Sequence, residues 1–262
     1  LETLMSDNYK LRPSGASRWM ACPASLVLEA QVEPVKDDTH VAAYEGTAAH
    51  ELLEMCVKGK CRAEKFAGKT ITVYEEEQQT FPYNKVVDAK MIATVNFFLD
   101  EVGEAPKGTE VFSEMHMTHS EIPELSGTAD YFAYNEAEGY GLLADLKNGS
   151  SIVQVKNRAG ELNKQLLSYA ALLFDKFPKL ETMTMAIIQP NGKTKVKTRD
   201  TGINRKIAES HIDSVKEAAK LAREATPATL DQITNTSSAC WYCKAKDICP
   251  VKNSKELEKD FG

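Results

Sequence analysis

Three extended segments follow one another between residues 110 and 147, and the link between the last two leaves little choice of topology. They read EVFSEMHM (Glu110 to Met117), TADYFAY (Thr128 to Tyr134) and the run from Tyr140 to Lys147, with only the polar NEAEG stretch, Asn135 to Gly139, between the second and the third. Parallel neighbours need a crossover of a dozen or more residues, so a link this short makes the two strands an antiparallel hairpin. A helical pattern follows at about Asn163 to Phe177, then a strand at about Thr182 to Gln189, a turn at Pro190-Asn191-Gly192 and a strand at Lys193 to Thr198. The order helix, three strands, helix, strand predicts an α/β chain built on a mixed central sheet.

The flanks read as helical. Apolar periodicity predicts helices over Ser17 to Ala30, Thr47 to Val57 and Asn84 to Val102, so three helices are expected before the first strand. Asn204 to Ala225 predicts a long amphipathic helix, and Thr226 to Ala239 a linker into a cysteine-bearing tail. With 262 residues, 42% of them hydrophobic, the expectation is one domain in three parts: an N-terminal helical part (1–109), a core (110–200), and the long helix with the cysteine tail (201–262). No apolar run approaches the roughly 20 residues that span a bilayer, and the N-terminus lacks the layout of a secretion signal. A cytoplasmic location without a membrane is therefore expected. In that compartment six cysteines are read as free or metal-bound rather than disulfide-bonded. The net charge of -6 conceals an asymmetry: Leu146 to Lys206 holds 12 Lys or Arg against 4 Asp or Glu. A basic stretch of that kind is either a solvated face or a phosphate-contacting surface.

Chemistry is suggested where the third segment ends. GLLADLKNGS puts Asp145 and Lys147 two apart, hence on one face of a strand, just before the Asn148-Gly149 turn. The preceding strand carries Asp130 after Gly127, a residue that permits close approach of another backbone. If the two strands pair, the carboxylates can converge, and Glu114 on the strand before could add a third. Two carboxylates and a backbone carbonyl suit a hard divalent cation such as Mg2+ or Mn2+. Each acid taken alone reads as surface charge; it is the Gly-x-x-Asp and Asp-x-Lys pairing at hairpin spacing that favours a site.

These segments resemble a family. Gly127-Thr-Ala-Asp130, Asp145-Leu-Lys147 and Gln165-Leu-Leu-Ser-Tyr169 are similar, in order and spacing, to the successive motifs of PD-(D/E)XK nucleases of the RecB type. The resemblance implies a restriction-endonuclease-like core in which Asp130, Asp145 and the carbonyl of Leu146 bind the catalytic metal. Lys147 would orient the attacking water and offset phosphate charge. His50, in GTAAHELLE, matches the helical histidine that many such nucleases supply as a further ligand, whereas His40, His116, His119 and His211 match nothing. Gln165 and Tyr169 would contact DNA or brace the site. One departure is Asn148, where many relatives carry Thr or Tyr.

The tail Cys240-Trp-Tyr-Cys243-Lys-Ala-Lys-Asp-Ile-Cys249 has the spacing of a metal site one ligand short, and Cys22-Pro23 near the start offers the fourth. The arrangement resembles the iron-sulfur staple of AddB-type helicase-nucleases and of the iron-sulfur nucleases associated with CRISPR adaptation, which implies a [4Fe-4S] cluster; a zinc site has the same spacing. Cys56 and Cys61 lack partners at ligand spacing. With an opening similar to phage-borne members, the expected function is a Mg2+- or Mn2+-dependent deoxyribonuclease. It would be an exonuclease on DNA ends or single strands in phage recombination or replication, in the cytoplasm of a bacterial host, with a helicase or recombination protein as partner. The alternatives are a catalytically idle DNA-binding module and a zinc-stabilised interaction protein.

Overall fold

Hydrogen bonding by the central strands decides the architecture. In the computed structural model, which describes residues 9–32, 41–75, 78–191, 195–235, 240–241 and 243–252, five of them form one sheet. They are β3 (Glu110–Thr118), β4 (Ser126–Asn135), β5 (Tyr140–Leu146), β6 (Thr182–Gln189) and β7 (Val196–Asn204), in the spatial order β3-β4-β5-β6-β7. The first three pair antiparallel, β5 and β6 parallel, β6 and β7 antiparallel. The parallel step is made by α5 (Lys164–Lys176), whose first N–H groups are capped by the Asn163 side chain. The mixed α/β sheet expected from the sequence is present.

Alternation along these strands feeds two cores, one on each face. On one face Phe132, Tyr134, Leu143, Met183, Met185 and Ile187 pack beneath α5, α6 (Arg205–Arg223) and the short α1 (Ala16–Ala21). On the other, Tyr131, Ala133, Ala144, Leu146, Ala186 and Ile188 pack beneath α3 (Val41–Gly59) and α4 (Ala89–Val102). A third, smaller core joins α2 (Ala24–Glu29) to the C-terminal segment through Val27, Leu28, Ala222, Leu230 and Ala245. It brings the two ends of the described chain together.

Several boundaries differ from expectation. The Ser17 to Ala30 helix is two helices, because Pro23 would lack an N–H and crowd the carbonyl four residues back, so α1 stops at Ala21. Helix α3 already includes Val41 and runs through Gly46, the expected start. The expectation of three helices before any strand fails. A hairpin of β1 (Thr70–Glu75) and β2 (Gln78–Val86) comes first, and α4 starts only at Ala89, capped by Asp88, not at Asn84. Strand β7 continues to Asn204, well past Thr198; Gly192 of the expected turn and Lys193 lie outside the described residues, as do His40 and 236–239 of the linker. Among the described residues no helix is long and apolar enough to cross a membrane.

Candidate metal centre

A break in sheet regularity builds the site. The β3–β4 register runs Ser113↔Tyr131 and then Met115↔Ala129, leaving Glu114 and Asp130 opposite each other but unpaired. Beyond the break the pleat changes phase. Ala129 faces the α5 side although Tyr131 faces the α3 side, and Met115 and Met117 share the α5 side with Phe112. Strict alternation would forbid both. Glu114 sits at φ 48°, the left-handed region that costs a residue with a Cβ roughly 1–2 kcal/mol. Both carboxylates are thereby aimed at the helix lying over this part of the sheet, where His50 of α3 meets them.

The imidazole Nδ1 of His50 lies 3.2 Å from Asp130 Oδ1 and 3.4 Å from Glu114 Oε1. Among the described residues these three form the one group whose ligating atoms all fall within 4.8 Å of one another. Burial opposes a charge on His50, but the Asp130 and then the Glu114 carboxylate outweigh it and hold its pKa well above the ordinary imidazole range. Asp130 is oriented from its other oxygen. Leu146 N–H donates to Oδ2 at 2.7 Å, a bond possible because the β4–β5 ladder ends at Tyr131↔Ala144. Ser113 Oγ donates to the Asp130 carbonyl at 3.1 Å.

Asp145 and Lys147 stand beside this group as a second constellation. Lys147 Nζ donates to Asp145 Oδ1 at 3.2 Å and to Gln165 Oε1 at 3.0 Å, and Gln165 Nε2 donates to Asp145 Oδ1 at 3.1 Å. Gln165 thus closes a triangle that locks both charged side chains. Asp145 Oδ2 lies 2.9 Å from the ammonium yet outside hydrogen-bond directions, so charge alone holds it. Burial raises the pKa of Asp145, Lys147 counteracts it, and the Asp130 carboxylate adds to it. Burial disfavours the Lys147 ammonium, but Asp145 more than restores it. Tyr169 lies one turn beyond Gln165, its phenol pKa raised by burial and then by Asp145 and Asp130. Its ring, with Pro13, fills the space that a Cβ on Gly127 would need, at 3.0 Å and 2.8 Å. Gly127 is therefore required for close approach of side chains rather than of backbone.

The donor set suits a divalent cation. It joins one imidazole nitrogen to carboxylate oxygens, and two buried oxygens, Glu114 Oε1 and Asp145 Oδ2, have no hydrogen-bond donor of their own. The structure thus brings together His50, Glu114 and Asp130 directly, with Asp145, Lys147, Gln165 and Tyr169 alongside. Of the two expectations for Gln165, the structure shows it bracing the site; sequence reasoning missed the backbone of Glu114, because no local signal marks a left-handed glutamate. Part of the basic stretch is paired within the chain. Lys156 pairs with Asp200, Lys179 with Glu136 and Lys197 with Glu101, while Arg199 and Arg205 bond to backbone carbonyls. His211 bonds Ser168, His116 meets Thr128, and His119 accepts from Glu121 N–H, so none of the three joins the metal centre.

The four cysteines form a separate pocket. Cys22, Cys240, Cys243 and Cys249 line it together with Arg18, Ser25, Lys246 and Lys252. Burial raises the Cys22 pKa, with Cys240 and Cys249 adding to it, and burial pushes Cys243 to about 11. Asn235 N–H donates to Cys22 Sγ at 3.4 Å. No three of these thiols fall within 4.8 Å of one another among the described residues, whereas tetrahedral zinc would hold its sulfurs about 3.8 Å apart. Cys56 is buried at the end of α3, where Cys61 N–H closes onto its carbonyl at 3.0 Å.

The chain belongs to the family described as "Protein of unknown function (DUF2800)", which matches it over residues 9–261. It is also similar to a solved structure, the crystal structure of SSO0001, with 12% sequence identity and a TM-score of 0.45, over 95% of this chain and 89% of that one.

Proposed function

We propose that this protein is a divalent-metal-dependent deoxyribonuclease with a PD-(D/E)XK-type core. The observation that carries the reading is the meeting, at the middle of β3 and β4 and the end of β5, of an imidazole–carboxylate group able to hold a cation with a lysine locked beside a buried aspartate. His50 Nδ1, Glu114 Oε1 and Asp130 Oδ1 would hold the ion, with Asp145 Oδ2 as the adjoining acceptor and the Leu146 carbonyl a ligand by the family resemblance. A bound Mg2+ or Mn2+ would lower the pKa of a water and draw charge from a phosphate oxygen. The protein's own contribution is placement. His50 would have to give up its proton to act as a ligand. Lys147, kept protonated by Asp145 and fixed by Gln165, supplies positive charge toward the phosphate without occupying a ligand position.

The cysteine pocket supports a second component of the same reading, a [4Fe-4S] cluster joining the chain ends. Its four thiols surround one space, and N–H groups point at two of the sulfurs, those of Cys22 and Cys243. A DNA-end or single-strand exonuclease role in phage recombination or replication, in a bacterial host cell and beside a helicase or recombination protein, rests on the sequence resemblance.

The test is cleavage of single-stranded and linear duplex DNA with Mg2+, Mn2+, Ca2+ or EDTA. Wild type should cut with Mg2+ or Mn2+, poorly with Ca2+ and not in EDTA. Asp145→Ala and Lys147→Ala should each lose about a hundredfold or more, as when a group aimed at developing charge is removed, with folding intact by circular dichroism. Undiminished cutting by either variant, or in EDTA, would refute the assignment. DNA binding by wild type without any cutting would leave an idle binding module.

A further inference from the structure

The cysteine pocket contains two donors with nothing to receive them. Ser25, near the start of α2, is 1% exposed and its Oγ has no hydrogen-bond partner; Arg18 Nε on α1 is also buried without one. Both residues line the space that Cys22, Cys240, Cys243 and Cys249 surround. A buried serine on a helix ordinarily turns its hydroxyl onto a nearby backbone carbonyl, and Ser25 makes no such bond. Its backbone is committed, since Ser25 N–H donates to the Cys22 carbonyl at 2.9 Å, which fixes where Cβ points. Native proteins leave few buried hydroxyls unpaired, and each that is unpaired implies a missing partner. Around the four thiols the missing acceptor is a sulfur. Thiols accept weakly, whereas metal-bound thiolates and inorganic sulfides carry negative charge and accept well.

We propose that Ser25 Oγ donates a hydrogen bond to a sulfur of the iron-sulfur cluster held by these cysteines, and thereby raises its reduction potential. This rests on the cluster reading of the pocket. The donor stabilises the reduced cluster, with its extra negative charge on sulfur, more than the oxidised one. Ser25 is not a ligand, since the four cysteines complete the set. Its role is to tune the group they hold, and the Arg18 guanidinium, anchored to Glu29 at 2.8 Å, adds positive charge on the same side.

The experiment uses full-length protein purified without oxygen, with iron and zinc content, visible absorption and a spectroelectrochemical midpoint potential measured for wild type, Ser25→Ala and Ser25→Thr. The alanine variant should keep its iron but shift to a more negative potential, and the threonine variant, which keeps the hydroxyl, should lie nearer wild type. Should Ser25→Ala take up no iron, Ser25→Gly is measured in its place. Loss of iron from both, with retention by Ser25→Thr, would also place the hydroxyl on the cluster. A full iron complement with an unchanged potential in Ser25→Ala overturns the proposal and leaves the cluster intact. Wild type that holds zinc or no metal overturns the cluster reading itself.

Discussion

At the scale of single residues, the buried histidine of α6 shows how a side chain outside the site governs the protein's response to pH. His211 is 6% exposed and meets Ser168 Oγ at 2.8 Å. Burial, with the nearby Lys164 cation adding to it, lowers its pKa to about 4. The unfolded chain therefore binds a proton near the ordinary imidazole value of 6.5 that the folded chain refuses down to about 4. This contribution to stability is complete above the unfolded pKa and is lost as pH falls toward the folded one. Each unit of that window is worth about 1.4 kcal/mol, for about 3 kcal/mol in all. Urea unfolding at pH 7, 6 and 5 should show this loss in wild type and a flatter profile in His211→Gln; equal slopes would remove His211 from the account. No local pattern marks this, because a histidine on an amphipathic stripe is readable as core only once α5 lies across it. His50 was legible for the opposite reason: the surrounding GTAAHELLE carries a resemblance that burial alone does not.

At the scale of elements, the paired break in β3 and β4 decides how the carboxylates are presented. Hairpin spacing alone made β4 and β5 neighbours, and both hydrophobic faces followed from alternation. What could not be read was the change of pleat phase at Glu114 and Asp130, since it depends on two strands distorting together and leaves no mark in either. The β1–β2 hairpin was missed for a different reason. Its second strand contains Pro82 and runs directly into the apolar periodicity of α4, which draws the helix pattern backward past Asp88. The backbone of Glu114 can be separated from its carboxylate. Glu114→Gly and Glu114→Ala both remove the ligand, but only glycine relieves the left-handed φ, so Glu114→Gly should be the more stable by about 1 kcal/mol. Both should bind Mn2+ more weakly than wild type by calorimetry. If alanine equals or exceeds glycine in thermal unfolding, the break is not strained as its geometry indicates.

At the scale of the whole molecule, the two ends of the described chain meet in the small core where α2 packs on Ala222, Leu230 and Ala245, while the candidate metal centre lies on the sheet. Among the described residues, the polar bonds there include the Arg18–Glu29 pair, the bond from Lys244 N–H to Glu29 at 2.8 Å, and the bond from Asn235 N–H to Cys22. The cysteine spacing made this junction legible in the sequence independently of the helix boundaries, because a ligand set constrains distant residues irrespective of local propensity. Stability and chemistry should accordingly separate. Linking residue 22 to residue 249 closes nearly the whole chain into one loop, which in the chain-entropy view is worth up to about 5 kcal/mol. Cys22→Ser should lose its iron and unfold at a temperature lower by on the order of 10 °C. His50, Glu114, Asp130 and Asp145 sit on α3, β3, β4 and β5, none of which contributes to the small core, so DNA cleavage well below that transition should persist. Asp145→Ala should show the reverse, with iron and melting temperature retained and cleavage lost. Were Cys22→Ser to abolish cleavage at a temperature where its circular dichroism matches wild type, the staple would act on the metal centre as well as on the fold, and the separation drawn from these positions would not hold.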